Sequence, residues 1–133
     1  MMTNKNYSTA IAELQYKEGI MYVTFNSAEI NLAQAQLFIT DMKREFGDLL
    51  PLPILADVSA QRNPKKEGRD YLGSPEATQY FKAIALVANS VLSKIAGNLF
   101  LMFSNPNVPT KIFTENTAAL AWLKPFQEAV LVD

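Results

Sequence analysis

Apolar positions in the first 25 residues follow a strand-like period. Thr9 to Gln15 is anchored by Ile11 and Leu14, and Ile20-Met21-Tyr22-Val23-Thr24-Phe25 is rich in aromatic and β-branched residues. Between them lies Tyr16-Lys17-Glu18-Gly19. Gly19 supplies the positive φ that a tight turn needs, so the pattern predicts a β-hairpin. The period then lengthens. Ala35, Phe38, Ile39, Met42, Phe46 and Leu49 recur at helical spacing, while Asp41, Lys43, Arg44 and Glu45 fall mostly on the other side. Asn31 and Gln34 form a capping pair ahead of this helix, and Gly47 stands where a left-handed C′ residue is expected.

Pro51 and Pro53 interrupt the chain before Ile54-Leu55-Ala56-Asp57-Val58. That run and Ala83-Ile84-Ala85-Leu86-Val87-Ala88 do not alternate, as expected of parallel strands covered on both faces. Between them, Pro64 is a helix starter for a weak helix over Lys66 to Gly73. Ser74-Pro75-Glu76 opens a further short turn. After Asn89-Ser90, a helix is predicted from Val91 to Phe103, stopped by Asn105-Pro106. A last strand, Lys111-Ile112-Phe113, leads through Thr114 to a final helix, Glu115 to Lys124. Strands alternating with helices predict an α/β domain spanning residues 1–133. Its sheet is expected to be mixed, mostly parallel and five-stranded, with an N-terminal hairpin and about four helices.

Composition narrows the chemistry. The chain of 133 residues is 49% hydrophobic, enough for a core without staples. It has 12 Lys+Arg against 13 Asp+Glu, so it lacks the basic excess of a nucleic-acid binder. No Cys and no His are present. Disulfides, thiolate nucleophiles, Cys- or HExxH-type zinc sites and Ser-His-Asp triads are therefore excluded. The five glycines form neither GxGxxG nor a P-loop. No catalytic residue, cofactor or metal site is expected. Met1 to Tyr7 has no apolar signal-peptide core, and Val91 to Phe103 is too short to span a bilayer. A cytoplasmic location is the expectation.

Two features bear on binding. In open α/β sheets, ligands sit beyond the carboxyl ends of the strands. Asp57, Ser59, Asn89 and Ser90 fall there, and Arg62 and Arg69 add positive charge. These six are candidates for a ligand or anion site; alternatively they are helix caps and a solvated basic face. The helix from Val91 to Phe103 is apolar around most of its circumference. It is either a buried helix, a homodimer interface, or one wall of an apolar ligand pocket. Leu99, Phe100, Met102 and Phe103 are its candidate interface or pocket residues.

The residues Ala83 to Ser90, Gly97-Asn98-Leu99-Phe100, Pro109-Thr110-Lys111-Ile112-Phe113 and Ala121-Trp122-Leu123 resemble a group of small bacterial proteins of STAS-type fold. More broadly, the strand-helix order resembles the STAS-type (SpoIIAA-like) domain of bacterial anti-sigma-factor antagonists, whose fold is related to the Sec-fourteen (CRAL-TRIO) lipid-binding fold. Asp57 matches the Asp that ends the third strand of many STAS domains. The antagonists carry a phosphorylatable Ser in an Asp-Ser-Ser-Gly-like turn opening the second helix. Here that region reads Pro64-Lys65-Lys66-Glu67-Gly68-Arg69-Asp70, with no hydroxyl. The resemblance thus implies a non-catalytic regulatory or protein-interaction module, expected to be a homodimer, without the phospho-switch. The alternative it implies is a carrier of a small molecule or lipid beside residues 91–103. A carrier requires a cavity of several hundred Å3, on the order of ordinary ligand pockets.

Overall fold

The computed structural model describes residues 4–62, 65–101 and 106–127, apart from the side chain of Leu99. A strand with one wet face must alternate, and β2 (Ala12–Lys17) does: Ala12, Leu14 and Tyr16 are buried while Glu13, Gln15 and Lys17 are exposed. It pairs antiparallel with β3 (Ile20–Phe25) through a two-residue turn in which Glu18 and Gly19 have φ of 53° and 81°. Positive φ at both central positions matches the right-handed twist of the flanking strands. Gly19 takes it freely, whereas Glu18 does so against its Cβ.

β4 (Leu52–Asp57) and β5 (Phe81–Val87) are buried nearly throughout, as strands covered on both faces must be. β3, β4, β5 and β6 (Thr110–Phe113) pair in parallel. The register aligns Leu14, Val23, Ala56, Leu86 and Ile112 across the sheet on one face. Between the parallel strands run α1 (Leu32–Phe46), the short α2 (Lys66–Leu72) and α3 (Pro75–Thr78), and α4 (Val91–Leu99). All pack on that one face. Phe38, Met42 and Phe46 of α1 belong to its core with Val23, Ile54 and Leu86. Among the described residues, the opposite face is covered by α5 (Asn116–Leu123) and the 3-10 turn that follows it, with Ala119 and Leu123 on Leu55, Ala83 and Ala85. Trp122 packs there too, between the rings of Phe113 and Phe126 at 5.8 and 5.4 Å.

Among the described residues the sheet has six strands, in chain order, rather than the five expected. The additional one is β1 (Lys5–Ser8), paired antiparallel with β2 at the edge. Its residues are polar and mostly exposed, so no apolar alternation marks it. Contacts with α1 hold it: Arg44 Nη2 donates to the Tyr7 hydroxyl at 2.8 Å while Arg44 Nη1 pairs with buried Asp41 at 3.0 Å. The α1 cap is the predicted reciprocal one, with Gln34 N donating to Asn31 Oδ1 at 2.8 Å and Asn31 N to Gln34 Oε1 at 2.9 Å. Gly47 is right-handed instead of left-handed, because the chain runs on into a 3-10 turn, Gly47–Leu49. Pro53 does not break the chain; it lies buried inside β4 beside a register shift. The N-cap position of the last helix is Glu115, not Thr114, and its side chain makes no capping hydrogen bond. The expected stretch after residue 101 of the fourth helix and the Pro64 helix start lie outside the described residues.

Gly68 sets the approach of α2 to α1. A Cβ there would lie 2.2 Å from the Ile30 carbonyl oxygen and 3.0 Å from that of Asn31. Gly68→Ala is therefore expected to cost about 1–3 kcal/mol, read as a lower urea midpoint at unchanged slope. Glu18→Asn is expected to move that midpoint upward, by on the order of 0.5–1 kcal/mol, since Asn tolerates the left-handed region better. The Gln127 side chain donates to the Glu18 backbone carbonyl, a contact the substitution leaves intact.

Candidate functional site

β4 and β5 end side by side, with Asp57 opposite Val87. The loops that follow are tied into the sheet: Val58 N donates to Val87 O and Ala88 N to Phe113 O, both at 2.9 Å. Asp57 turns back to accept from Ser59 N at 2.9 Å, closing a tight Asx-type turn. The Ser59 hydroxyl oxygen is buried and has no hydrogen-bond partner. Arg62 folds its guanidinium onto its own loop, donating from Nη1 to Ser59 O at 2.6 Å and to Gln61 O at 3.0 Å. Gln61 reaches the loop after β3, where Nε2 donates to Ser27 O at 2.6 Å. Asn89 is exposed, and Ser90 caps α4. Ser93 N donates to Ser90 Oγ at 3.1 Å, and Ser90 N to Ser93 Oγ at 3.0 Å.

The basic cluster is spread by its ion pairs. Lys65 pairs with Glu29 at 3.3 Å and Lys66 with Asp70 at 2.8 Å. Arg69 points inward, with only 12% of its side chain exposed, and its Nε lies 3.8 Å from an Asp70 oxygen. On the same helix, burial first and then a Glu76 hydrogen bond push the Tyr71 phenol up to about 12, so it stays protonated at ordinary pH. Among the described residues, no cluster of acidic side chains could hold a metal ion.

Beneath the helices lies a cavity of about 90 Å3, floored by Val23, Ile54, Ala56 and Leu86 of the sheet. Phe38 and Met42 of α1 wall it on one side, and Ala96, Gly97 and Phe100 close it on the other. Gln61, Lys65 and Arg69 are its polar lining.

α4 is inverted relative to an ordinary surface helix. Its inward stripe is Ser93, Ala96, Gly97 and Phe100, small or polar except at the end. Its branched aliphatics face out: Val91 is 74% exposed, Leu92 50% and Ile95 51%. A surface helix normally turns those residues to the core. Here the serine cap fixes the rotation, burying Ser93 completely.

The family model for a domain of unknown function, DUF7793, matches residues 14–127. The chain belongs to the DUF7793 family. A crystal structure of an uncharacterized protein of the DUF3478 family from Shewanella loihica PV-4, described as having a SpoIIAA-like fold, superposes with a TM-score of 0.54. The two are 13% identical, and the match covers 91% of this chain and 92% of the other. That likeness carries the fold: this DUF7793 domain is SpoIIAA-like. No curated protein matches the chain.

Within the DUF7793 domain, the six polar candidates do not converge on one point. Asp57, Arg62 and Ser90 make local turns and caps, while Arg69 alone lines the cavity. Phe100 is a cavity wall; Met102, Phe103 and the Leu99 side chain lie outside the described residues. Sequence reasoning passed over Val91, Leu92 and Ile95. The signal was present in the period-3.6 spacing of Ser93, Ala96, Gly97 and Phe100. It also passed over Gln61 and Lys65 as cavity residues. No helix among the described residues is long and apolar enough to cross a membrane.

If Asp57 serves as a turn cap, Asp57→Ala should cost about 1 kcal/mol, and Asp57→Asn, which keeps the acceptor oxygen, distinctly less. Chemical denaturation of the two variants side by side separates a capping carboxylate from one whose charge matters.

Proposed function

We propose that this SpoIIAA-like domain is a non-catalytic protein-interaction module that works without a phospho-switch and pairs through the outer face of α4. The observation that carries this reading is the inverted helix, with Val91, Leu92 and Ile95 contiguous and exposed. Exposed aliphatic clusters on a small domain favour association. The partner is a second copy of the chain, since an apolar helix face lacking opposed charge can close on itself by two-fold symmetry. Lys94 flanks the patch on the same helix and is solvated at its rim.

Two further features support a constitutive rather than a switched module. The turn opening α2 has Lys65 at its N-cap and no side-chain cap there. The Ser59 hydroxyl, the nearest described one after β4, is buried away from any modifying enzyme.

The wild-type protein is expected to scatter light as a dimer at micromolar concentration. Leu92→Asp and Ile95→Asp, both at exposed positions, should give folded monomers. A wild-type monomer, or aspartate variants that remain dimeric, would remove α4 as the self-association surface.

A further inference from the structure

We propose that the cavity under α4 binds a compact neutral hydrocarbon of about four carbons. The site is separate from the pairing surface proposed above, because the cavity borders inner residues of α4, Ala96 and Gly97, and that surface uses the outer ones.

Three observations carry it. First, small residues keep the space open in both layers. Ala56 lies in register between Val23 of β3 and Leu86 of β5, so the floor is shallow where its neighbours stand tall. Ala96 and Gly97 line the same space from α4. Well-packed interiors hold few voids larger than a water molecule, so about 90 Å3 is a departure. Second, the wall is apolar nearly throughout. Four of the chain's eight phenylalanines, Phe25, Phe38, Phe81 and Phe100, line it, and so does Met42. Gln61, Lys65 and Arg69 border it without changing that character, because long polar side chains lay carbon against apolar surface. A water inside needs about two to four polar partners and finds few, so a guest displaces little that is firmly held. Third, the volume selects the guest. A cavity of roughly 150 Å3 lined by apolar side chains accepts the six carbons of benzene. At about 90 Å3 this one holds about four carbons on the same scale, and a long acyl chain does not fit.

The wall also decides what the guest must not carry. A hydroxyl or carboxylate inside gives up water and finds no partner, a penalty that offsets the gain from burying a few carbons. A neutral hydrocarbon escapes that penalty. Contact with aromatic rings and a polarizable thioether adds dispersion to the burial. The Phe25–Phe38 pair, with ring centroids 5.3 Å apart, forms part of the wall. The cavity is not sealed, so a small guest enters without unfolding the domain.

Isobutene is the probe, with tert-butanol as its polar counterpart and cyclohexane as the oversized control. Buffer equilibrated with isobutene is expected to raise the melting temperature of the wild-type protein above that in nitrogen-equilibrated buffer, by mass action. The guest's methyl groups should show intermolecular NOEs to the Phe38 and Phe100 rings. tert-Butanol should bind at least about tenfold more weakly, because its hydroxyl loses water without gaining a partner. Cyclohexane should give no such NOEs. Ala56→Val and Ala96→Val, which narrow the space from opposite layers, should weaken binding by about tenfold or more while remaining folded by circular dichroism. The NOEs are read on the wild-type protein, so the test stands whether or not the variants fold. NOEs to neither ring, or only to the outer Leu92 and Ile95 methyls, overturn the site. tert-Butanol binding as well as isobutene overturns the apolar selectivity, and cyclohexane NOEs to the two rings overturn the size limit. Undiminished binding to a folded, narrowed variant overturns the cavity.

Discussion

The architecture depends on strand order. β3, β4, β5 and β6 lie side by side in chain order and run parallel. A parallel crossover is almost always right-handed, so three successive crossovers stepping the same way lay every connecting helix on the same face. α1, α2, α3 and α4 accordingly share one side of the sheet, and α5 inherits the other. The sheet answers with two kinds of surface. The crowded face is built from Val23, Ile54, Ile84 and Leu86, whereas α5 docks on Ala83 and Ala85, whose small side chains let Ala119 approach closely.

Crowding on the first face explains several local choices. α1, at 15 residues, takes the largest share and buries Phe38, Met42 and Phe46. α2 must then lie so close to the chain entering α1 that only glycine fits at position 68. α4 comes down on the sheet at Gly97, where a Cβ would sit 3.2 Å from Ile112 Cδ1. A helix that approaches this closely needs small residues inward. Its larger aliphatics then have nowhere to go but out. The inverted polarity of α4 and the void beneath it are two results of one packing arrangement: the small inward stripe meets the sheet at Gly97 and leaves space beside Ala96.

Much of this could be read from residue patterns, for identifiable reasons. α1 was readable because its apolar stripe, its Asn31–Gln34 cap and its length agree. β4 and β5 were readable because strands covered on both faces leave uninterrupted apolar runs. β1 was not, since its inward residue is Tyr7 alone, packed on the core and tied to α1 by Arg44, and one aromatic in a polar tetrapeptide shows no alternation. Gly47 misled because a glycine past a helix can as easily continue into a tighter turn. The polar candidates at the strand ends were correctly placed in the chain. Their hydrogen bonds decide their chemistry, and those depend on loops from two different strands meeting, as Gln61 meets Ser27. Pattern alone shows no such pairing.

The same distinction governs where function can reside. At the carboxyl ends of the strands, Asp57 is engaged with Ser59 N, Arg62 with its own loop and Ser90 with Ser93, while the Ser59 hydroxyl has no partner. α4 offers the opposite balance. Its outer aliphatics are solvated at a free-energy cost that any complementary apolar surface would remove, and its inner side borders unfilled space. In this fold the strand ends hold the loops together, while α4, nine residues long, leaves aliphatic side chains solvated on its outer side and a cavity beneath it.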